Sequence, residues 1–224
     1  MRRLYHWTFD PASRAVRLAL GEKRLEAELV VSPPWKPDEE LQRLAPGAST
    51  PVLLDQGGHG RLVAGGARAV LEYLDEARYE PRLLPGIAQD RAEIRRIWEW
   101  VETGLADVGR SLVAERVAQW ERRDREPDAA ALRVGSHALR GRMTFLNALC
   151  ESRPFLAGRA LSVADLVCAA HLSAADYFGD VPWDLAPDLR DWYARMKSRP
   201  SFRSLLADRL EGARPASHYA DLDF

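Results

Sequence analysis

Leu44-Ala45-Pro46-Gly47-Ala48-Ser49-Thr50-Pro51-Val52-Leu53-Leu54 carries a proline turn straight into an apolar run, and Leu62-Val63-Ala64 repeats that pattern after a polar stretch holding Gly57, Gly58 and Gly60. Two short apolar runs separated by turn-forming residues read as a β-hairpin. Pro51 stands at the first strand position, where a missing N–H is tolerated. A cis Thr50–Pro51 bond there turns the N–H and C=O of Thr50 outward into a cleft, a device for holding another backbone.

Upstream of the hairpin, Leu4-Tyr5-His6-Trp7 is a short strand, and Asp10-Pro11 opens a helix with an aspartate cap and a proline at its first position. Val16, Leu18, Ala19 and Leu20 give that helix an apolar side, and Arg14, Arg17, Glu22 and Lys23 fall at positions expected to face water. Leu25 to Val31 forms a second strand, so strand, helix and strand make a parallel unit with a right-handed crossover. Ser32-Pro33-Pro34-Trp35-Lys36-Pro37 is a stiff loop, and Asp38 starts a short helix ending at Pro46. Downstream, Ala67 to Ala77 is helical, with Ala69, Val70, Tyr73 and Leu74 on one side.

From Ala88 onward no strand pattern appears. A long helix to about Arg123, bent near Gly104 or Gly109, pairs with a second from Asp128 to Cys150. Leu161-Ser162-Val163-Ala164-Asp165-Leu166 is a capping box and staple, worth roughly 1–2 kcal/mol. Further helices are expected at Val163–Phe178, Asp188–Ser198 and Pro200–Leu210. The expected organisation is an α/β domain at 1–79, a linker at 80–87, an all-helical domain at 88–211 and a tail at 212–224.

Composition narrows the function. A net charge of −1 gives no electrostatic reason to expect nucleic acid or a bilayer as partner. No stretch is apolar enough for a membrane helix or a signal peptide, so a soluble cytoplasmic protein is expected. Cys150 and Cys168, both in apolar settings, read as core thiols rather than as a disulfide or metal site.

The order helix, proline turn, hairpin, helix resembles the thioredoxin-like domain of the glutathione transferases, and the Leu-Ser-x-Ala-Asp pattern at 161–165 resembles the capping motif of their helical domain. The resemblance implies that fold, with a thiol-activating hydroxyl or cysteine at the first helix and a polar clamp for the γ-glutamyl group. Here the serine and cysteine positions fall on Asp10 and Ala12. A carboxylate repels a thiolate and an alanine donates nothing, which leaves Ser13 and Tyr5 as alternative catalytic hydroxyls. The clamp frame is intact in Gly66-Ala67-Arg68-Ala69-Val70-Leu71-Glu72-Tyr73-Leu74, yet Gly66 stands for its acid and Ala67 for its serine. Losing two charge-assisted hydrogen bonds, at roughly 1.5–3 kcal/mol each, weakens binding by about two to four decades.

Two features look outward instead. Trp35, beside Lys36, lies on a proline-stiffened loop suited to a binding hot spot, and His218-Tyr219-Ala220-Asp221-Leu222-Asp223-Phe224 interleaves acids with apolar groups, so it is expected to pack on the body or on a partner. With Pro34-Trp35-Lys36, Ala174 to Trp183 and Asp191 to Arg203, this ending resembles the FtsZ-binding, transferase-like division proteins of alphaproteobacteria. That resemblance implies a homodimer gripping FtsZ filaments at the division site through Trp35 and Asp221, with Lys36, Tyr219, Asp223 and Phe224 alongside. It implies no cofactor and no metal. The alternative is a glutathione transferase using Ser13 or Tyr5, with its electrophile against Trp98, Glu102 or Arg110.

Overall fold

The computed structural model describes residues 1–57, 60–123 and 125–222. Strands β1 (Arg2–His6), β2 (Glu28–Val31), β3 (Val52–Asp55) and β4 (Leu62–Gly65) form one sheet in the order β2-β1-β3-β4. β2 runs parallel to β1, and β3 is antiparallel to β1 and β4. β2 begins at Glu28 rather than Leu25 because β1 offers partners only to Glu28 through Val31.

Strand alternation decides which helices cover which face. Leu4, Leu53 and Ala64, neighbours across the strands, join the main core with residues of α1 (Pro11–Glu22) and α3 (Ala67–Ala77). Tyr5 and Val52, on the opposite face, pack against Leu41 of α2 (Glu39–Leu44). The Thr50–Pro51 bond is cis, and the Pro51 carbonyl accepts the Gly66 N–H at 2.9 Å, joining the hairpin to the start of α3. Gly66 sits at φ +84°, a conformation that costs any residue with a Cβ.

The second half is helical. α4 (Ala88–Val108) passes into two wide i→i+5 stretches, Gly109–Val113 and Ala118–Arg122, on either side of α5 (Ala114–Val117). Of the two glycines flagged for a bend, Gly109 is where the change begins. α6 (Ala129–Ser152), capped by Asp128, packs along α4, and α7 (Val163–Asp176) runs through the centre of the molecule. α8 (Pro187–Lys197) and α9 (Arg203–Leu206) close the bundle. The capping box is present and wholly buried: the Ser162 N–H and hydroxyl both donate to Asp165 at 2.9 Å. The Leu156 N–H at 2.8 Å and the Trp192 indole at 3.1 Å also reach that carboxylate. Burial pushes Asp165 up, against the pull of these donors. Cys150 and Cys168 are free thiols, with burial raising Cys150 to about 12.

One expectation is corrected. Arg14, Arg17 and Lys23 do not face water: α1 is sandwiched between the sheet and α7, so its polar side is buried as well. Arg14 reaches Ser173 Oγ at 2.8 Å, Tyr219 Oη at 3.2 Å and Asp208 at 3.1 Å, while Arg17 grips both Asp208 oxygens at 2.9 Å. Lys23 pairs with Asp75 at 2.7 Å, and Glu22 accepts from Arg199 and Ser201, each at 2.6 Å. A buried cation persists only when paired and hydrogen-bonded, and each of these is. Gly21 permits the contact, since a Cβ there would lie 2.9 Å from the Ser201 backbone.

Candidate functional site

Two regions were singled out by the sequence, and they differ in what their polar groups are doing. At the start of α1, Asp10 accepts the Ala12 and Ser13 N–H groups, and Ser13 Oγ also donates to it at 2.6 Å. The Ser13 hydroxyl carries one proton, so that bond uses its donor capacity, and its lone pair takes the Trp7 N–H at 3.3 Å. Burial pushes the Asp10 carboxyl up while the Ser13 bonds lower it. Tyr5 is wholly buried, and burial raises its phenol pKa. Ala12 is half-buried, and Gly66 and Ala67 lead α3 with no side-chain cap. Thr50 is half-buried beside buried Pro51.

Nearby, Arg68 is directed onto α4. Its guanidinium pairs with Glu99 and with Glu102 at 2.9 Å and lies 4.5 Å from the Trp98 ring centroid. Trp98 is fully buried, and Arg110 pairs with Asp107 on its own helix.

The Trp35 loop is held at its base and open at its tip. Ser32 is buried, its N–H bonded to His6 O at 2.8 Å and its Oγ accepting the Asp38 N–H at 2.8 Å. Lys36 N–H closes a turn onto Pro33 O at 3.0 Å, and Lys36 is exposed. Trp35 is 39% exposed, its ring edge-on to Trp7 at 5.1 Å and 80°. Trp7 in turn donates its indole N–H to Glu121 at 3.0 Å, and the Arg122 guanidinium lies 5.7 Å from the Trp35 ring.

The tail is pinned to the body before its acidic end. Tyr219 is fully buried, donates to Leu205 O at 3.0 Å and packs on Tyr177. His218 bonds Asp176 at 2.8 Å, and its carbonyl accepts from Lys197 at 3.0 Å. Asp176 is buried and also takes the Trp183 indole at 2.7 Å. Asp221 and Leu222 are exposed. Asp223 and Phe224, expected at the same surface, lie outside the described residues.

Residues 4–82 match the model of the glutathione S-transferase N-terminal domain. Over 224 residues the chain is 44% identical to FtsZ-localized protein A of Caulobacter vibrioides (strain NA1000 / CB15N), covering 100% of this chain and 98% of that protein. The chain belongs to the glutathione S-transferase family. The structure of FzlA from C. crescentus superposes with a TM-score of 0.93 at 44% identity, covering 100% of this chain and 99% of that one. A glutathione S-transferase from Rhodospirillum rubrum F11 superposes with a TM-score of 0.90 at 40% identity, over the full length of both chains.

Of the two candidate hydroxyls, Ser13 Oγ donates to Asp10 and Tyr5 is buried in the sheet. Tyr219 departs from the partner surface expected of it: its hydroxyl is held between Arg14 and Leu205, and its ring anchors the tail. Among the described residues no helix is long and apolar enough to cross a membrane, and no group of three His, Cys, Asp or Glu could hold a metal.

Trp7, Glu121 and Arg122 were missed in the sequence. Trp7 reads as the end of a strand, and Glu121 lies 114 residues away in a charged helical stretch. The usable signal was Trp7 itself, a large aromatic three residues before a helix cap.

Proposed function

We propose that this chain binds FtsZ filaments in bacterial cell division without catalysis. In this reading a homodimer in the cytoplasm, at the division site, presents two copies of the Trp35 loop and of the acidic tail. Two weak grips on one polymer gain avidity from their linkage. The observation that carries the reading is the full-length match to FtsZ-localized protein A, taken with a Ser13 proton already committed to Asp10. Trp35 supplies the aromatic anchor, Lys36 and Asp221 are exposed charges beside the two contacts, and Asp223 and Phe224 extend the tail contact. Tyr219 serves by anchoring the tail so that Asp221 leaves the body at a fixed point.

Co-sedimentation with FtsZ filaments tests it. Trp35→Ala and Asp221→Lys are expected to weaken binding to filaments at least about tenfold, with residual binding measurable on titration, while leaving the melting temperature within about 4 °C of wild type. If both variants pellet as wild type does, the surface has been misassigned.

A further inference from the structure

Trp35 is oriented by groups that no other part of the reading uses. The hydrogen bonds at the base of its loop fix the backbone of Ser32, Lys36 and Asp38, and none of them touches the indole. What meets the ring is the Trp7 indole edge-on at 5.1 Å and the Arg122 guanidinium at 5.7 Å. Trp7 is itself oriented from the helical half of the molecule. Its N–H donates to Glu121 at 3.0 Å, across 114 residues of sequence. Burial pushes the Glu121 carboxyl up, and the indole bond opposes that shift. A partly desolvated carboxylate costs free energy unless it is hydrogen-bonded, so its placement against one indole is specific. Glu121 and Arg122 share the wide turn at Ala118–Arg122, a form that often marks a functional point in a helix.

We infer that Trp7 and Glu121 are positioning residues for Trp35: Glu121 fixes the Trp7 indole, and the Trp7 ring holds Trp35 at the angle in which it meets the filament. The inference rests on the reading that Trp35 is the contact. An aromatic ordered before it docks loses less side-chain freedom on binding, and T-shaped pairing supplies that order. The arrangement also ties the loop to the helical half, so the Trp35 surface spans both layers of the fold.

The test is a co-sedimentation titration with FtsZ filaments, using the full chain carrying Trp35→Ala, Trp7→Ala, Glu121→Ala, Glu121→Gln or the pair Trp7→Ala with Trp35→Ala. Trp7→Ala and Glu121→Ala are expected to weaken binding about three- to tenfold, in keeping with loss of one aromatic pairing. Glu121→Gln keeps an acceptor for the indole and restores affinity to within about twofold of wild type. The double variant binds no worse than Trp35→Ala alone, because Trp7 acts through Trp35. An additive double variant overturns the inference by making Trp7 a separate contact. So does a Glu121→Ala variant that binds like wild type while Trp35→Ala does not, and this outcome leaves the contact reading standing. Binding unaffected by Trp35→Ala overturns both. Should Trp7→Ala fail to fold, the contrast between Glu121→Ala and Glu121→Gln decides the matter by itself.

Discussion

The start of α1 and the tip of the Trp35 loop lie on the same domain and treat their side chains in opposite ways. At the start of α1 every polar group is turned inward: Ser13 to Asp10, Arg14 and Arg17 to Asp208. At the loop tip Lys36 is exposed and Trp35 is partly so, its ring edge-on to Trp7 above a backbone fixed by hydrogen bonds. The difference teaches where the two regions are vulnerable. Substitutions at the first should cost stability, and substitutions at the second should cost recognition and leave stability nearly unchanged.

The strongest way to break that comparison is Asp208→Ala. It strands Arg14 and Arg17, both buried, and is expected to cost about 3–5 kcal/mol in urea denaturation. A loss below about 1 kcal/mol would show that water reaches these cations and that the region is not closed.

Acid sharpens the comparison next. Burial holds the His6 pKa down to about 4, with nearby Arg17 adding to the effect, so the folded protein keeps this imidazole neutral. Between its unfolded value of about 6.5 and 4 the unfolded chain binds the extra proton, so stability falls as pH drops through that window. The expected loss at pH 5 is about 2 kcal/mol relative to pH 7, and His6→Gln should remove that part of the dependence. An unchanged slope in His6→Gln would place the acid sensitivity elsewhere.

Asp10→Ala removes a helix cap and the acceptor of the Ser13 proton. It is expected to cost about 1–2 kcal/mol of unfolding free energy. The smallest effect belongs to the tail. The Asp176 carboxylate raises the His218 pKa, so this contribution is complete below about 6.5 and is lost as pH rises through the folded value. Relative to their intrinsic, base-catalysed exchange rates, the Tyr219 and Asp221 amides should lose protection between pH 6 and pH 8, reflecting less than ~1 kcal/mol, and His218→Gln should abolish that loss of protection.

What the sequence revealed follows from range. The hairpin at 51–65, the Asp10-Pro11 start and the Ser162–Asp165 box are written in residues a few positions apart, and each is present. The burial of Arg14 and Arg17 was not legible, because Asp208 lies 194 and 191 residues away and helical spacing alone assigns them to water. Tyr219 shows the same limit, since nothing local reveals that Arg14 and Leu205 enclose its hydroxyl. At the candidate surface the sequence singled out Trp35 from its proline setting, but its platform, Trp7 on Glu121, crosses between the two halves of the chain.

Calorimetric titration of the wild-type chain with reduced glutathione tests most directly whether the old pocket has been closed and the scaffold turned to another use. With the Ser13 proton on Asp10 and no polar side chain at 66 or 67, no saturable heat is expected up to about 10 mM. A dissociation constant below about 1 mM, or roughly 4 kcal/mol of binding, would contradict the account.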